Sequence, residues 1–329
     1  MGKIRASLLG STGIVGQTMV KLLANHPYIE LTKVSASPAK IGQKYCEAVK
    51  WVINGEAPEY VCDMELVSTD PSDHKDVDVV LSALPNDVAA KVEPELVRNG
   101  INVISNASPG RMDNGTPLIN PEINWRALEM IRGRDAWLVK NPNCTTAIIS
   151  LALAPFKDKL RRLFVTTMQS VSGAGYMGVS FLSIEGNVIP YIKGEEEKIE
   201  AELGKIMEWE TDVHVTSTRV PVKYGHMAIM EAELNAPMEV GDAIKAIEEY
   251  SSFPQQRGLP TAPPRPLILV RRSDGPQPLR DLDPMAVSIG RLSIKAGYLR
   301  MAVLGDNIVR GAAGITILTL ETMREMGLI

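Results

Sequence analysis

The residues with the clearest chemical potential surround Cys144, in the run NPNCTT at residues 141–146. This run joins a predicted strand to an apolar segment with the pattern of a helix, so the thiol is expected at a helix N-terminus. Backbone N–H groups and the helix dipole at that end favour the thiolate, the nucleophilic form of cysteine. We therefore predict that Cys144 is a catalytic nucleophile.

A cysteine that attacks a carbonyl group needs a partner to handle protons, and histidine is the usual one. The chain has four histidines. His26 follows the first predicted helix and His74 lies in a polar turn, so we expect both at the surface. His214 and His226 both lie in extended runs. The glycine before His226 allows close backbone approach, which makes His226 the weak favourite.

Three further segments carry polar side chains that no structural pattern requires. Arg111 lies in a loop rich in Gly and Pro, where a guanidinium can clamp a carboxylate or phosphate with two parallel hydrogen bonds. Gln169 begins the run QSVSGAG. Glu195 and Lys198 share one helix face, for which a solvated helix start is the favoured interpretation when the pattern is taken alone.

The glycine-rich run GSTGIVG at residues 10–16 stands between a predicted strand and a predicted helix. Glycines there let the backbone approach a pyrophosphate, which the N–H groups of the helix N-terminus then bind. The spacing is GxxGxxG and not GxGxxG, so a tight turn without a ligand is the alternative. The residues expected to contact a dinucleotide are Gly10, Ser11, Thr12, Gly13, Ile14, Val15 and Gly16.

The end of the second predicted strand indicates which dinucleotide binds. A site specific for NAD places an acidic residue there, on the ribose hydroxyl. The chain instead has Ser35, Ser37 and Lys40, which suit the 2′-phosphate of NADP. The alternative is that Lys40 is simply solvated, as most lysines are.

Strand-like runs alternate with helix-like segments up to about residue 140, which predicts a doubly wound parallel α/β sheet. The expected strands are Ile4–Leu9, Ile29–Ser35, Val77–Leu84, Ile101–Ile104 and Ala136–Val139, with helices near Ile14–Asn25 and Asn86–Asn99. We expect a Rossmann-like NADP-binding domain over residues 1–143, completed by a C-terminal helix at 307–329.

From Cys144 the pattern changes to that of an α+β domain, with a helix through Lys159 and strands at Leu163–Ser170, Val213–Val222 and His226–Leu234. We expect this catalytic and dimerisation domain to cover residues 144–306. The proline-rich stretch Pro254–Pro284 is predicted to be a surface arm or loop, of a kind that often serves subunit contacts.

Composition excludes several classes of protein. The net charge of −4, without a basic stripe, argues against a nucleic-acid partner. The most apolar stretch, Ala147–Phe156, is too short for a membrane-spanning helix, which needs roughly 20 residues. Cys46, Cys62 and Cys144 form no close pair, so we predict neither a disulfide framework nor a metal site. Cys46 and Cys62 are interpreted as small buried hydrophobic residues, and a reducing cytoplasm is favoured.

Taken in order, these segments resemble aspartate-β-semialdehyde dehydrogenase, especially its archaeal and fungal type. The resemblance runs essentially the whole length, through GSTGIVG at 10–16, NPNC at 141–144, SGAG at 172–175 and NIVRGAAG at 307–314. It implies that Cys144 is the nucleophile, that His226 is the acid–base histidine, and that Gln169 orients the bound substrate.

The resemblance also implies the binding roles. Arg219 is similar to the arginine that binds the substrate α-carboxylate, and Glu195, or else Glu196, to the acid that binds its α-ammonium group. Arg111 and Lys198 resemble the phosphate-binding pair. The remaining expected contacts are to the substrate from Asn143 and to the dinucleotide from Ser82, Ala83, Leu84, Ser172, Gly173 and Asn307, the last near the nicotinamide.

The reaction implied is the reversible conversion of L-aspartate 4-semialdehyde and phosphate to L-4-aspartyl phosphate, with NADP as cofactor and a thioester on Cys144. In cells it leads toward lysine, threonine and methionine. The expected partners are these small molecules and further copies of the chain, in a homodimer or homotetramer.

Alternatives of two classes remain. Malonyl-CoA reductase has the same fold and a cysteine thioester, but its substrate has no α-ammonium group to use the GEEEK run at residues 194–198. N-acetyl-γ-glutamyl-phosphate reductase is less favoured because acylation removes the same positive charge. A non-catalytic NADP-binding redox sensor is the alternative from another class, but it has no use for the clamp residues.

Overall fold

The computed structural model describes residues 2–329, which divide into two compact units. The first unit contains the described residues up to Ile119, together with Arg126–Pro142 and Ala312–Ile329. The second unit contains Asn120–Trp125 and Asn143–Gly311. The sequence pattern placed residues 120–125 in the N-terminal domain and 307–311 in the C-terminal helix, whereas both segments cluster with the second unit.

A six-stranded parallel sheet forms the centre of the first unit. Its strands are β1 (Ile4–Leu9), β2 (Ile29–Ser35), β3 (Leu66–Val67), β4 (Val79–Ser82), β5 (Val103–Ser105) and β6 (Leu138–Lys140). The order is β3-β2-β1-β4-β5-β6, and every neighbouring pair is parallel. The direction of winding reverses between β1 and β4, as in dinucleotide-binding folds. The predicted doubly wound fold is therefore confirmed.

Helices cover this sheet: α1 (Ile14–Leu23), α2 (Tyr45–Ala48), α3 (Glu59–Cys62), α4 (Asn86–Arg98) and the C-terminal helix Gly314–Glu325. Helix α1 ends two residues before the prediction because Asn25 has a φ of 58°, a left-handed conformation that stops a helix. The C-terminal helix contributes Ile317, Leu320 and Met323 to the core cluster that contains Val20 of α1.

The second unit is built on a mixed six-stranded sheet. Its strands are β7 (Leu160–Gln169), β8 (Asp212–Arg219), β9 (His226–Leu234), β10 (Leu267–Leu269), β11 (Val287–Lys295) and β12 (Tyr298–Gly305), in the order β10-β11-β12-β9-β7-β8. The register pairs Gln169 with Arg219 at the ends of β7 and β8, and Gly305 with His226. One end of the sheet therefore gathers the polar residues that the sequence singled out.

The helices of the second unit are α5 (Pro121–Asn124), α6 (Cys144–Leu153), α7 (Phe181–Ile184), α8 (Glu195–Met207), α9 (Val240–Glu248), α10 (Phe253–Gln256) and α11 (Pro278–Asp281). The predicted helix through Lys159 changes to a 3-10 helix at Ala154, where Pro155 removes a backbone donor. In the proline-rich stretch, β10 pairs with β11, so part of the expected surface arm belongs to the sheet.

A buried ion pair explains why residues 120–125 belong to the second unit. Arg310, in a π-helical turn at Val309–Ala313, donates to the carboxylate of Glu122 in α5, and both side chains are fully buried. Glu122 also accepts a hydrogen bond from Gln255, and its carbonyl accepts one from Tyr250. A buried charge needs such partners to offset its desolvation.

The prediction that Cys46 and Cys62 are separate buried residues is wrong. They form a disulfide with an S–S distance of 2.02 Å, and Cys46 is exposed. The two cysteines are 16 residues apart in the sequence, and helices α2 and α3 bring them together.

The expectation that His26 and His74 lie at the surface is also wrong. His26 is buried, with Nε2 2.8 Å from the Glu321 carboxylate of the C-terminal helix. His74 is buried, with Nδ1 2.9 Å from the Ser7 hydroxyl of β1. Both have partners that are distant in the sequence, which a local pattern cannot show.

Within residues 2–329, no helix is both long and apolar enough to cross a membrane. In the same residues, no cluster of His, Cys, Asp and Glu side chains is suited to hold a metal ion.

Candidate active site

Cys144 is the first residue of α6 and keeps its thiol. Asn143 caps the helix: its Oδ1 accepts hydrogen bonds from the backbone N–H groups of Thr145 (2.8 Å) and Thr146 (3.3 Å). The cap fixes the start of the helix at Cys144 and holds the half-buried thiol against the positive end of the helix dipole. The predicted position at a helix N-terminus is confirmed, and on general grounds such a position favours the thiolate.

Gly311 packs directly against Cys144. A Cβ atom at Gly311 would lie 2.5 Å from Cys144 Cβ, closer than real Cβ contacts ever come. Only glycine therefore lets the chain after β12 pass behind Cys144 at this distance.

Two buried side chains of opposite charge lie close to the cysteine within the second unit. Arg219, at the end of β8, donates from Nη1 to the carbonyl of Ser170 over 2.8 Å. Burial lowers the pKa of Arg219, and the nearby charges of Cys144 and Glu195 oppose that effect. Arg219 and Glu195 are each 7% exposed, so both charges act in a site from which most water is excluded.

Glu195 is fixed by two amides. Its Oε1 accepts hydrogen bonds of 3.0 Å from Asn143 Nδ2 and from Gln169 Nε2. Glu196 points elsewhere and accepts from the backbone N–H of Ser217 on β8. The structure therefore favours Glu195 over Glu196 as the acid of the site, a choice that the sequence left open.

A second acid, Glu202, binds the backbone at Asn143, the residue before α6. Glu202, one turn further along α8 than Lys198, accepts a hydrogen bond of 2.6 Å from the backbone N–H of Asn143. Glu202 is 2% exposed, and the sequence pattern gave no signal that separated it from the other charged residues of α8.

His226 begins β9 and is 1% exposed. Its Nδ1 lies 3.1 Å from the backbone N of Ser170 and 3.1 Å from the Ser170 hydroxyl. Its Nε2 has no hydrogen-bond partner within residues 2–329. Burial, and then the charge of Arg219, lowers the pKa of His226 to about 3.

Gly173 lies against both functional groups. A Cβ atom at this position would come within 2.8 Å of Arg219 Nη1 and of His226 Nε2. The backbone at Gly173 therefore forms the wall of the space that the guanidinium and the imidazole share, beside the role in dinucleotide binding that the sequence predicted for Ser172 and Gly173.

Asn307 is the centre of a buried hydrogen-bond network. Its Oδ1 accepts from the backbone N–H of Gly225 (3.0 Å) and from the hydroxyls of Ser170 (3.1 Å) and Ser172 (3.3 Å). Its Nδ2 donates to the Ser172 hydroxyl over 3.0 Å. Asn307 therefore links Gly225, the residue before His226, to Ser170, which contacts the imidazole ring of His226. Contact of Asn307 with a nicotinamide stays a prediction.

The glycine-rich loop of the first unit has the geometry of a phosphate-binding turn. Gly10 has a φ of 70°, and a Cβ atom at Gly16 would lie 2.3 Å from the Gly10 carbonyl, so glycine is required at both positions. The carbonyls of the loop accept from Tyr45 and Gln17 side chains, which fixes its path. No side chain caps α1 at Gly13, which leaves the first-turn amides to bind an anion.

The end of β2 fits a dinucleotide as well. The hydroxyl of Ser35 is buried and has no partner within residues 2–329, so a polar ligand group there would satisfy it. Ser37 precedes a 3-10 turn, Pro38–Lys40, which holds the partly exposed Lys40 close to it.

Two other residues predicted to contact ligands, Ser82 and Arg111, have hydrogen-bond partners inside the first unit. The Ser82 hydroxyl donates to Glu93 over 2.7 Å, which leaves Ala83 and Leu84 to offer backbone groups beside Gly10. Arg111 is buried, and its Nη2 donates to the carbonyl of Asn106. Lys198, in the second unit, lies one turn beyond Glu195 on α8.

Known proteins match both units. Residues 5–131 match the family model described as semialdehyde dehydrogenase, NAD binding domain, and residues 153–310 match the semialdehyde dehydrogenase dimerisation domain. The aspartate-semialdehyde dehydrogenase of Methanothermobacter thermautotrophicus is 42% identical over 98% of this chain and 99% of that one. The chain belongs to the semialdehyde dehydrogenase family.

Two further relatives show the range of the semialdehyde dehydrogenase family. The malonyl CoA reductase (NADP) of Metallosphaera sedula is 34% identical over 99% of this chain and 98% of its own. The crystal structure of the Candida albicans aspartate semialdehyde dehydrogenase with NADP is 30% identical and has a TM-score of 0.93, with both chains fully covered. The resemblance inferred from the sequence is confirmed.

Proposed function

We propose that the chain is an aspartate-semialdehyde dehydrogenase, which interconverts L-aspartate 4-semialdehyde plus phosphate and L-4-aspartyl phosphate with NADP. The observation that carries the proposal is the buried pair of opposite charges, Arg219 and Glu195, near Cys144. A substrate with an α-carboxylate and an α-ammonium group neutralises both charges, because the guanidinium binds the carboxylate and Glu195 the ammonium. The relatives named aspartate-semialdehyde dehydrogenase support this substrate.

The residues of the second unit account for the steps on the substrate. The Cys144 thiolate adds to the aldehyde carbon and forms a thiohemiacetal, whose oxygen His226 faces with Nε2. Oxidation of that carbon gives a thioester, and attack by phosphate releases the acyl phosphate and restores the thiolate. Gln169 and Asn143 hold Glu195 in the orientation that receives the ammonium group. Lys198 and, in the first unit, Arg111 are proposed as phosphate ligands on the resemblance.

The cofactor we propose is NADP, held by residues 10–16 and by Ser35, Ser37 and Lys40. When bound, it accepts the hydride from the substrate carbon. The orphan hydroxyl of Ser35 and the absence of an acid at the end of β2 support NADP over NAD. The Candida albicans relative was solved with NADP, which supports the same choice.

We propose a homodimer or homotetramer as the working form. The match to a dimerisation domain over residues 153–310 supports this. Large apolar side chains are exposed in one segment of the second unit, as expected of a surface that a second copy covers; they are Tyr176, Met177, Phe181, Leu182, Val188 and Tyr191.

We propose the cytoplasm as the location, because the reaction draws on dinucleotide and phosphate pools there. The Cys46–Cys62 disulfide removes one argument for it, since the cysteines do not all remain thiols as the sequence predicted.

The assay that tests the proposal follows NADP reduction with L-aspartate 4-semialdehyde in the presence and absence of phosphate. We expect phosphate-dependent turnover that the Cys144→Ser variant loses. The competing substrate is malonyl-CoA with NADPH, because a malonyl-CoA reductase is among the relatives. Activity with malonyl-CoA alone would contradict the substrate assignment and leave the fold unaffected.

A further inference from the structure

A lysine and a glutamate form an ion pair inside the first unit. Lys140, the last residue of β6, donates to the carboxylate of Glu93 in α4, and the two side chains are 0% and 1% exposed. Removing both charges from water is costly, and apolar residues of similar volume often stabilise such a position equally well. Stability alone therefore does not account for this pair.

Each proton of the pair and of the two serines beside it has a single acceptor. The hydroxyls of Ser82 and Ser105 both donate to Glu93 Oε1, over 2.7 and 2.6 Å, and Lys140 donates to Oε2. The other two ammonium protons of Lys140 go to Ser105 Oγ (3.0 Å) and to the Ala107 carbonyl (3.2 Å). Ser105 Oγ also accepts from the backbone N–H of Ala107 over 3.0 Å. A buried network that is satisfied in this way rigidifies its surroundings.

The network joins the ends of three neighbouring strands. Ser82, Ser105 and Lys140 are the last residues of β4, β5 and β6, and the sheet pairs Ser82 with Ser105 and Ser105 with Lys140. Ligands of open α/β sheets bind at the carboxyl ends of the strands. The segments that follow are residues 83–84, residues 106–111 and the start of the NPNC run, so the pair fixes the points at which three predicted functional segments leave the sheet.

The segment after β5, residues 106–111, depends on this network most directly, and we call it the Arg111 loop. Lys140 binds the Ala107 carbonyl and lies beside Gly110, where a Cβ atom would be 3.7 Å from Lys140 Cε. At the end of the loop, Arg111 donates from Nη2 back to the Asn106 carbonyl. Because Arg111 is 6% exposed, the direction of its guanidinium follows the path of the loop.

We propose that Glu93 and Lys140 are positioning residues, which hold the Arg111 loop so that the Arg111 guanidinium is directed at the phosphate substrate. This inference rests on the proposed function, of which the phosphate role of Arg111 is a part. Because both side chains of the pair are buried, they act through the loop and not on the substrate.

The charges around Lys140 agree with this arrangement. Burial lowers the pKa of Lys140, and the Glu93 carboxylate raises it. The positive charge of Arg111 also lowers it, and Asp113 raises it, so the Arg111 guanidinium lies within electrostatic range of the ammonium group. Glu93 therefore neutralises a cation that would otherwise repel Arg111.

A double variant separates positioning from stability. Glu93→Leu combined with Lys140→Met fills the space with apolar atoms, a change that buried ion pairs often tolerate, and it removes the donor to the Ala107 carbonyl. We expect this variant to fold and to raise KM for phosphate by about 10- to 100-fold, while KM for aspartate semialdehyde changes by less than about threefold. Urea denaturation and steady-state kinetics measure the two effects.

The matched control is Glu321→Gln, which breaks a second buried pair of the first unit, with His26. It should lower the urea midpoint and leave KM for phosphate unchanged. An equal rise of KM in this control would show that the phosphate effect comes from lost stability, which overturns the proposal.

Hydrogen exchange tests the loop without substrate or dinucleotide. The backbone N–H groups of Asn106, Ala107 and Arg111 all have acceptors, so a peptide over residues 105–112 should exchange slowly in the wild type. In the double variant we expect this peptide to exchange at least about 10-fold faster and a peptide over α1 to be unchanged. Fast exchange in the wild type, or unchanged exchange in the folded double variant, overturns the proposal. The wild-type measurement decides even if the variant does not fold.

Arg111→Ala distinguishes failure of this inference from failure of the proposed function. A higher KM for phosphate in Arg111→Ala but not in the folded double variant would overturn the role of the pair and leave the proposed function intact. If wild-type turnover does not depend on phosphate, the proposed function fails, and hydrogen exchange alone decides whether the pair holds the loop.

Discussion

At Gly173 one added methyl group would enter the space between the Arg219 guanidinium and His226 Nε2. We expect Gly173→Ala to lower kcat/KM by about 100-fold, because a displacement of about 1 Å in a reacting group has effects of that size. Steady-state kinetics with aspartate semialdehyde measure this. Gly241→Ala is the matched control in the same unit, since no atom lies within 4 Å of a Cβ built there. Equal activity of the two variants would contradict the wall assigned to Gly173.

The neighbouring acids Glu195 and Glu196 provide a pair of variants with opposite expectations. Glu195→Gln removes the charge that we propose receives the ammonium group, so we expect kcat/KM for the amino-acid aldehyde to fall by about 10- to 100-fold, equivalent to about 1.4–2.8 kcal/mol. Glu196→Gln should change it by less than about threefold, because Glu196 binds Ser217. A loss confined to Glu196→Gln would reverse the assignment.

The sequence predicts the position of a candidate residue well where that position depends on local structure. Cys144 was predicted from its place at a helix N-terminus, and the cap by Asn143 confirms that place. The contact between Ser170 and His226 could not be predicted, because the two residues are 56 positions apart and meet only through the pairing of β7 and β9. His26 was misplaced for the same reason, since its partner Glu321 is 295 positions away.

Helices α2 and α3 support the glycine-rich loop and α1, and the Cys46–Cys62 disulfide joins them. Tyr45 of α2 donates to the Ser11 carbonyl, and Tyr60 of α3 donates to the Val20 carbonyl. Because the disulfide closes a loop of 16 residues, we expect Cys46→Ser to lower the free energy of unfolding by up to about 3 kcal/mol. Urea denaturation measures the change.

Reduction provides the control for this prediction. A reducing agent should shift the denaturation midpoint of the wild type toward that of Cys46→Ser and leave the variant unchanged. Coincident midpoints of the oxidised wild type and the variant would show that the disulfide contributes nothing to stability.

Elements were predicted best where an apolar run ends at a clear local signal. Strands β1, β2 and β9 have the predicted bounds. The glycine-rich loop follows β1, polar residues end the apolar run of β2, and a turn glycine precedes β9. Strand β10 was missed in the proline-rich stretch, because its three residues are held by pairing with β11 and not by a local pattern.

The stability of the whole molecule should depend on pH through two of its buried histidines, His74 and His226. Burial lowers the pKa of His74, and burial together with Arg219 lowers that of His226 to about 3 from 6.5. Between pH values of about 3 and 6.5, His226 binds a proton in the unfolded chain and not in the native chain. Stability therefore rises with pH across this window and is lost on acidification.

We expect the wild type to lose about 2 kcal/mol more than His226→Gln when the pH falls from about 7 to about 5. Urea denaturation at the two pH values measures the difference. Parallel losses in the two proteins would show that His226 is not buried in its neutral form.

The most direct test of the chemistry is the thioester on Cys144. Protein mixed with L-aspartate 4-semialdehyde and NADP, without phosphate, should release about one equivalent of NADPH in a burst and then stop. Peptide mass spectrometry should find the acyl group on Cys144, and phosphate should remove it. An acyl group on another residue, or a burst of equal size from Cys144→Ser, would contradict the assignment of Cys144 as the nucleophile.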